Sequence, residues 1–327
     1  MQPSPNPPPE SAPLEKPPML QVSDHELIRL IGKGSAGEVW LARNVLGSYR
    51  AVKIVRASTF KHRRPFDREF NGIRQFEPVS RLHDGLVDIL QVGLGGEGDY
   101  FYYVMELADD VRTGQLVDPH EYQPRTLAHD LTERERLPVA ECIRLGAALA
   151  SALGFLHGRG LIHRDIKPSN IIFVNGFPKL ADIGLVTELY DKAYVGTDGF
   201  IPPQGPGTVQ ADIYSLGKVL YEISTGMDRL QYPALPADLG KSVEDQNLIQ
   251  FNQIILKACR ANPLRRFKSA EQLMAALLAF QFGVRKSRKL RAQERWFTII
   301  GVIGALTAAG VFGGLLWRLF HLLKMGQ

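Results

Sequence analysis

Two short stretches of this chain hold the residue types best suited to chemistry. Residues 161–170 read LIHRDIKPSN, an apolar pair followed by a basic-acidic-basic run, a proline and an amide. Such a run follows neither the strand period nor the helix period, so it is a loop presenting polar side chains at a fixed place. Within it, Asp165 can accept a proton and Lys167 can steady developing negative charge. The second stretch is Gly32-Lys33-Gly34-Ser35-Ala36-Gly37-Glu38-Val39, a G-x-G-x-x-G-x-V pattern. Glycines let the backbone turn back and lay its N–H groups over phosphates. Taken singly, the first stretch also reads as a solvated charged loop and the second as a dinucleotide-binding turn.

The surrounding elements narrow the choice. A dinucleotide turn leads into a helix, whereas residues 38–42 (EVWLA) read as a strand. No G-K-[ST] closes the glycine pattern, which excludes the phosphate-binding loop of that type. A further strand ends in Ala51-Val52-Lys53. Residues 65–81 predict a helix with Pro65 in its first turn and Phe66, Phe70 and Ile73 along one stripe, flanked by Glu69. Glu77 lies on the same helix, but Pro78 is expected to break it there. Residues 87–92 and 100–107 read as strands joined by a glycine-rich turn, 109–125 as a polar loop, and 127–136 and 139–157 as helices. Asn175-Gly176 between two short β-runs predicts a hairpin. It separates the polar loop from Asp182-Ile183-Gly184. Helices are expected from 212 to about 225, over 248–259 and over 270–280.

With these landmarks in order, residues 26–282 resemble the eukaryotic-like (Hanks-type) serine/threonine protein kinases. The carrying motifs are the glycine loop, the strand lysine, H-R-D-x-K-P-x-N at 163–170, D-x-G at 182–184, Gly196-Thr197, and Asp212-Ile213-Tyr214-Ser215-Leu216-Gly217. The resemblance implies an α+β, two-lobed protein kinase fold with a β-rich small lobe over 21–107 and a helical large lobe over 108–283. It implies ATP and Mg²⁺ as cofactors and Ser or Thr hydroxyls of proteins as acceptors. Asp165 would be the base, with Lys167 and Thr197 beside it, and Asn170 and Asp182 would hold Mg²⁺. Nucleotide would be held by Ile31, Gly32, Lys33, Gly34, Ser35, Ala36, Gly37, Glu38, Val39, Ala51 and Lys53. Glu69 would orient Lys53, and Met105, Glu106 and Leu107 would form the hinge beside the base. Asp212 would hold the catalytic loop from below, and Gln204 would meet Arg266. The departures are Ala36 at the loop tip, Ile183 for the aromatic of D-F-G and Gln204 for a Glu. They admit a second reading, a membrane-tethered pseudokinase that binds nucleotide without turnover. Thr187, Tyr190 and Tyr194 are the candidates for phosphate recognition by Arg164, and no Thr cluster sits mid-segment.

The chain has 327 residues and a formal net charge of +5. Its two cysteines, Cys142 and Cys259, lie in helical patterns without metal-type spacing and read as reduced core thiols. Residues 1–20 form a proline-rich, extended segment with no apolar core of a signal peptide. Residues 284–295 form a basic linker, with Arg285, Lys286, Arg288, Lys289, Arg291 and Arg295 against Glu294. Residues 296–317 follow, uncharged from 297 onward and bracketed by Trp296 and Trp317; they are long enough, at roughly 30 Å, to cross a bilayer. The basic excess before them places the lobes on the cytoplasmic side of a cell membrane, with 318–327 as a short outer tail. Gly301, Ala305, Ala309 and Gly313 share one face and predict a homodimer contact. A basic membrane-surface scaffold leaves the ordered motifs unexplained, and nucleic acid is not expected as a partner. The single-pass layout is similar to that of bacterial members of the family.

Overall fold

The computed structural model describes residues 20–34, 37–95, 98–182, 187–188, 197–237, 239–240 and 242–283. The small lobe is a five-stranded antiparallel sheet in the order β1-β2-β3-β5-β4. Its strands are β1 (His25–Lys33), β2 (Glu38–Asn44), β3 (Tyr49–Arg56), β4 (Ile89–Gly95) and β5 (Tyr100–Met105). One helix, α1 (Arg63–Ser80), is inserted between β3 and β4.

Side-chain alternation along β3 and β5 decides what faces the cleft. Val52 and Ile54 join Tyr100, Tyr102 and Val104 in an outer apolar cluster with Val22 and Ala42. The intervening Val55, Phe101 and Tyr103 pack with Phe66, Ile73 and Phe76 of α1. Lys53 has the parity of Val55, so the pleat turns it toward α1 and the cleft. On the outer face, Gly93 and Gly95 stand opposite Tyr102 and Tyr100. A Cβ there would sit 2.3 and 2.2 Å from the rings. The freed phenols reach the segment entering β1: Tyr100 Oη accepts from Gln21 N at 3.0 Å and Tyr102 Oη accepts from Ser23 N at 3.2 Å.

Helix α1 corrects one expectation. It does not stop at Glu77 but runs through Pro78 to Ser80. A proline in the last turn forgoes one hydrogen bond and ends the helix shortly afterward instead of breaking it.

The large lobe is built on α3 (Val139–His157) and α4 (Val209–Thr225), with α2 (Leu127–Arg134), α5 (Val243–Ala258) and α6 (270–283) around them. Helix α3 is, among the described residues, the one helix long and apolar enough to cross a membrane. Its burial accounts for that composition, since Leu149, Ala150 and Leu153 are fully enclosed in the lobe. Thr208 caps α4 by accepting from Ala211 N, and Gly226 ends it in the left-handed region at φ 72°. Ser242 and Asp245 form a capping box that starts α5 several residues before the apolar pattern predicted. Between α4 and α5 the described residues hold one 3-10 turn, Arg229–Gln231. Cys142 and Cys259 are buried and unpaired, as expected.

Candidate active site

Strands β6 (Leu161–Ile162) and β7 (Ile171–Val174) flank the polar loop, and β7 pairs with β8 (Phe177–Leu180). Asn175 (φ 52°) and Gly176 (φ 76°) close this hairpin, both with positive φ as a type I′ turn requires. Asp212, on the first turn of α4, holds the polar loop from beneath. Its two carboxylate oxygens accept from His163 N and Arg164 N, each at 2.9 Å, and His157 Nε2 donates to it at 2.9 Å. Burial alone would raise the pKa of Asp212; the hydrogen bond and charge of His157 and the backbone donor outweigh it, and the carboxyl lies below its ordinary range.

Three donors fix Asp165. Thr197 Oγ1 donates to Oδ1 at 2.8 Å, Asn170 Nδ2 donates to Oδ2 at 2.8 Å, and Lys167 Nζ lies 2.8 Å from Oδ2. Lys167 also donates to Thr197 Oγ1 at 2.8 Å, closing a ring of polar contacts. The 3-10 turn Pro168–Asn170 brings the amide back toward the carboxylate, and Asn170 Nδ2 additionally donates to Asp165 O at 2.9 Å.

Lys53 reaches the cleft on the parity derived above, but its carboxylate partner differs from the expected one. It forms an ion pair with Asp182, whereas Glu69 lies outside ion-pair distance of it among the described contacts. Burial works against the Lys53 ammonium, and the Asp182 carboxylate overrides it and raises the pKa. The same pair lowers the pKa of Asp182 against the effect of burial. Glu69 is nevertheless buried in the same region, only 3% exposed. Burial, with Asp182 and Asp165 adding to it and Lys53 opposing, pushes its carboxyl up to about 7.

A cleft of about 390 Å³ runs between the lobes. Its roof is Ile31, Gly32, Lys33, Gly34, Gly37 and Val39; Ala51 and Lys53 lie behind, and Met105 and Glu106 at the hinge. Lys167, Asn170 and Asp182 line its floor. Gly37 is required sterically, since a Cβ would meet the Ile54 carbonyl oxygen at 2.3 Å. Ser35, Ala36, Ile183 and Gly184 lie outside the described residues. Glu38 points elsewhere, to Arg56 at 3.4 Å. At the hinge the lining residue after Glu106 is Ala108, not Leu107. Sequence reasoning also missed Tyr103, Tyr122, Pro124, Thr126, Ser169, Ile172 and Ala181. The alternation along β5 and β7 carried a signal for Tyr103 and Ile172. Nothing in the polar loop 109–125 marked Tyr122 or Pro124 as cleft residues.

The last anchor is the far end of the segment after Asp182. Arg266 Nη2 donates to Gln204 Oε1 at 3.0 Å, as expected, and also to Ala261 O, while Nε and Nη1 go to the carbonyls of Arg260 and Gln210. Thr187, Tyr190 and Tyr194, the dimer face and residues 296–317 lie outside what can be described at side-chain level.

The donor set suits a hard divalent cation. Asn170 spends its amide nitrogen on Asp165, which leaves the amide oxygen as a ligand atom, and Asp182 supplies carboxylate oxygens in the same cleft.

The family described as protein kinase domain matches residues 25–297. The chain is 29% identical over 276 residues to the probable serine/threonine-protein kinase CPE1738 of Clostridium perfringens, covering 77% of this chain and 38% of that protein. It is 28% identical over 297 residues to the serine/threonine-protein kinase PrkC of Bacillus subtilis, covering 83% and 42%. It is 31% identical over 291 residues to the serine/threonine-protein kinase PknB of Mycolicibacterium smegmatis, covering 79% and 43%. The chain thus spans about two fifths of the length of these curated relatives.

Proposed function

This chain belongs to the protein kinase family, and from that premise we propose that it transfers the γ-phosphate of ATP to Ser or Thr hydroxyls of proteins. The observation that carries the reading is Asp165 held by Thr197, Asn170 and Lys167 at 2.8 Å each. A carboxylate so oriented accepts the proton of an incoming hydroxyl while Lys167 faces the oxygens on which charge gathers. Lys53 is positioned to hold nucleotide phosphates once it exchanges Asp182 for them. Asn170 and Asp182 would hold Mg²⁺, which would neutralise charge on the phosphates. Ile31 and Val39 above and Ile172 below give a planar base an apolar slot. The Lys167-Pro168 pair and the names of the relatives favour Ser and Thr over Tyr as acceptors.

Radiolabelled ATP with the full chain tests this. Wild type should label itself, and Asp165→Asn should lower the rate by about 10²–10⁴-fold. Equal labelling of the two removes the mechanism, and an unlabelled wild type that still binds MgATP leaves the pseudokinase reading.

Anchoring in a cell membrane by residues 296–317, with the lobes cytoplasmic, belongs to the same proposal and rests on the uncharged run and the basic linker before it. The full chain should stay in the membrane pellet through alkaline carbonate extraction; release to the supernatant refutes the span.

A further inference from the structure

Residues 109–125, between the hinge and α2, fold into a compact strap. The Asp110 carboxylate accepts from Arg112 N at 2.8 Å, Thr113 N at 2.9 Å and Gln123 N at 2.8 Å. The Asp109 carboxylate caps the hairpin, accepting from Asn175 N at 2.8 Å and Gly176 N at 2.7 Å. Backbone bonds from Asp109 N to Phe173 O (2.7 Å) and Arg125 N to Asp109 O (2.8 Å) complete the fastening. The base of the strap is therefore fixed to the large lobe.

Its far side reaches the other lobe. Arg29, on β1, donates from Nε to Pro119 O at 3.2 Å and from Nη2 to Tyr122 O. The planar fork of a guanidinium suits two carbonyls in one segment, which a single ammonium cannot span. Tyr122 is buried, donates from Oη to Ala108 O at 3.1 Å, and lines the nucleotide cleft beside the hinge together with Pro124. A roof strand, the strap and the hinge are thereby joined around one end of the cleft.

We propose that the strap is a nucleotide-positioning element: Arg29 latches the small lobe to it, and Tyr122 walls the outer end of the slot. The proposal rests on the kinase reading and names residues for its nucleotide site that the glycine loop, Lys53 and the hinge do not account for. Lobes free to splay spend part of the ligand's binding free energy on being ordered, and a latch removes that cost before the ligand arrives. The hold on ATP should therefore depend on the latch more than the transfer step does, which makes Arg29 a positioning residue.

The test compares the full chain with Arg29→Met, Arg29→Lys and Tyr122→Phe. The readouts are the Kd of MgATP by calorimetry, and KM and kcat with casein as acceptor. Arg29→Met should raise Kd and KM by about fivefold to tenfold, with a much smaller change in kcat. Arg29→Lys should recover only part of the loss, because it lacks the fork. Tyr122→Phe keeps the ring, drops the bond to Ala108 and should raise Kd about threefold. Wild-type Kd in both Arg29→Met and Tyr122→Phe overturns the proposal and leaves the kinase reading standing. A fall confined to kcat overturns it as well. A wild type that does not bind MgATP overturns both.

Discussion

Asp165, bonded to the cleft residues Asn170 and Lys167, and Asp182, in the cleft itself, belong to the same lobe, yet they are held in opposite ways. Every partner of Asp165 comes from the large lobe: Asn170 and Lys167 from its own loop and Thr197 from beyond. Asp212 fixes that loop from α4, again within the lobe. Asp182 is held by Lys53, which arrives from the small lobe, and its backbone stands at φ 57°. On the proposed reading, the half of the site that would handle the proton is thus complete inside one lobe. The half that would handle the nucleotide exists only when the lobes meet, and on that reading its ion pair would yield to phosphate. Such a preorganised base beside an exchangeable nucleotide grip would allow ligand to enter without disturbing the acceptor geometry.

The most forceful way to break this contrast is to loosen the fixed half. Asp212→Asn leaves one acceptor for two backbone N–H groups and puts an amide where a buried carboxylate stood. It should cost about 4 kcal/mol in urea unfolding and lower kcat at least tenfold. A variant with wild-type kcat would mean that the polar loop holds its shape without α4.

A smaller effect sharpens the other side. Glu69 is buried and feels the charges of the exchangeable pair, and its carboxyl is pushed up from 4.5 to about 7, chiefly by burial. Between those pH values the folded chain keeps a proton that the unfolded chain has released. Its contribution is fully present below pH 4.5 and is lost as pH rises through 7. Glu69→Gln has no such proton to lose. From acid to pH 8 the variant should gain on wild type by on the order of 3 kcal/mol, read from urea midpoints across that range. A constant gap between the two proteins would show that Glu69 titrates normally and that the region below Lys53 is wetter than its packing implies.

The contrast also explains what the sequence made legible. The fixed half is nearly contiguous: Asp165, Lys167 and Asn170 must share one loop, so their spacing can be read directly, and Asp212 and Thr197 carried their own local motifs. The hairpin at Asn175-Gly176 was equally readable, because turn chemistry is local. The exchangeable half is assembled across the lobes. Nothing local distinguishes Glu69 from Asp182 as the partner of Lys53, because the choice depends on how near α1 approaches. Pro78 was misjudged for a related reason: a breaker in a last turn does little, and the helix end is set by tertiary packing. The strap was invisible altogether. Its aspartates, glycine and prolines have loop composition, and its meaning lies in two main-chain oxygens offered to Arg29, which no side-chain pattern encodes.

Arg266 is gripped by a glutamine oxygen and three main-chain carbonyls, and among the described residues no carboxylate touches it. Neutral acceptors have no charge for dissolved ions to shield and no proton to take up in acid. The tie between Gln204 and Arg266 is therefore insulated from brine and from acidification alike, unlike the ion pair of Lys53 with Asp182.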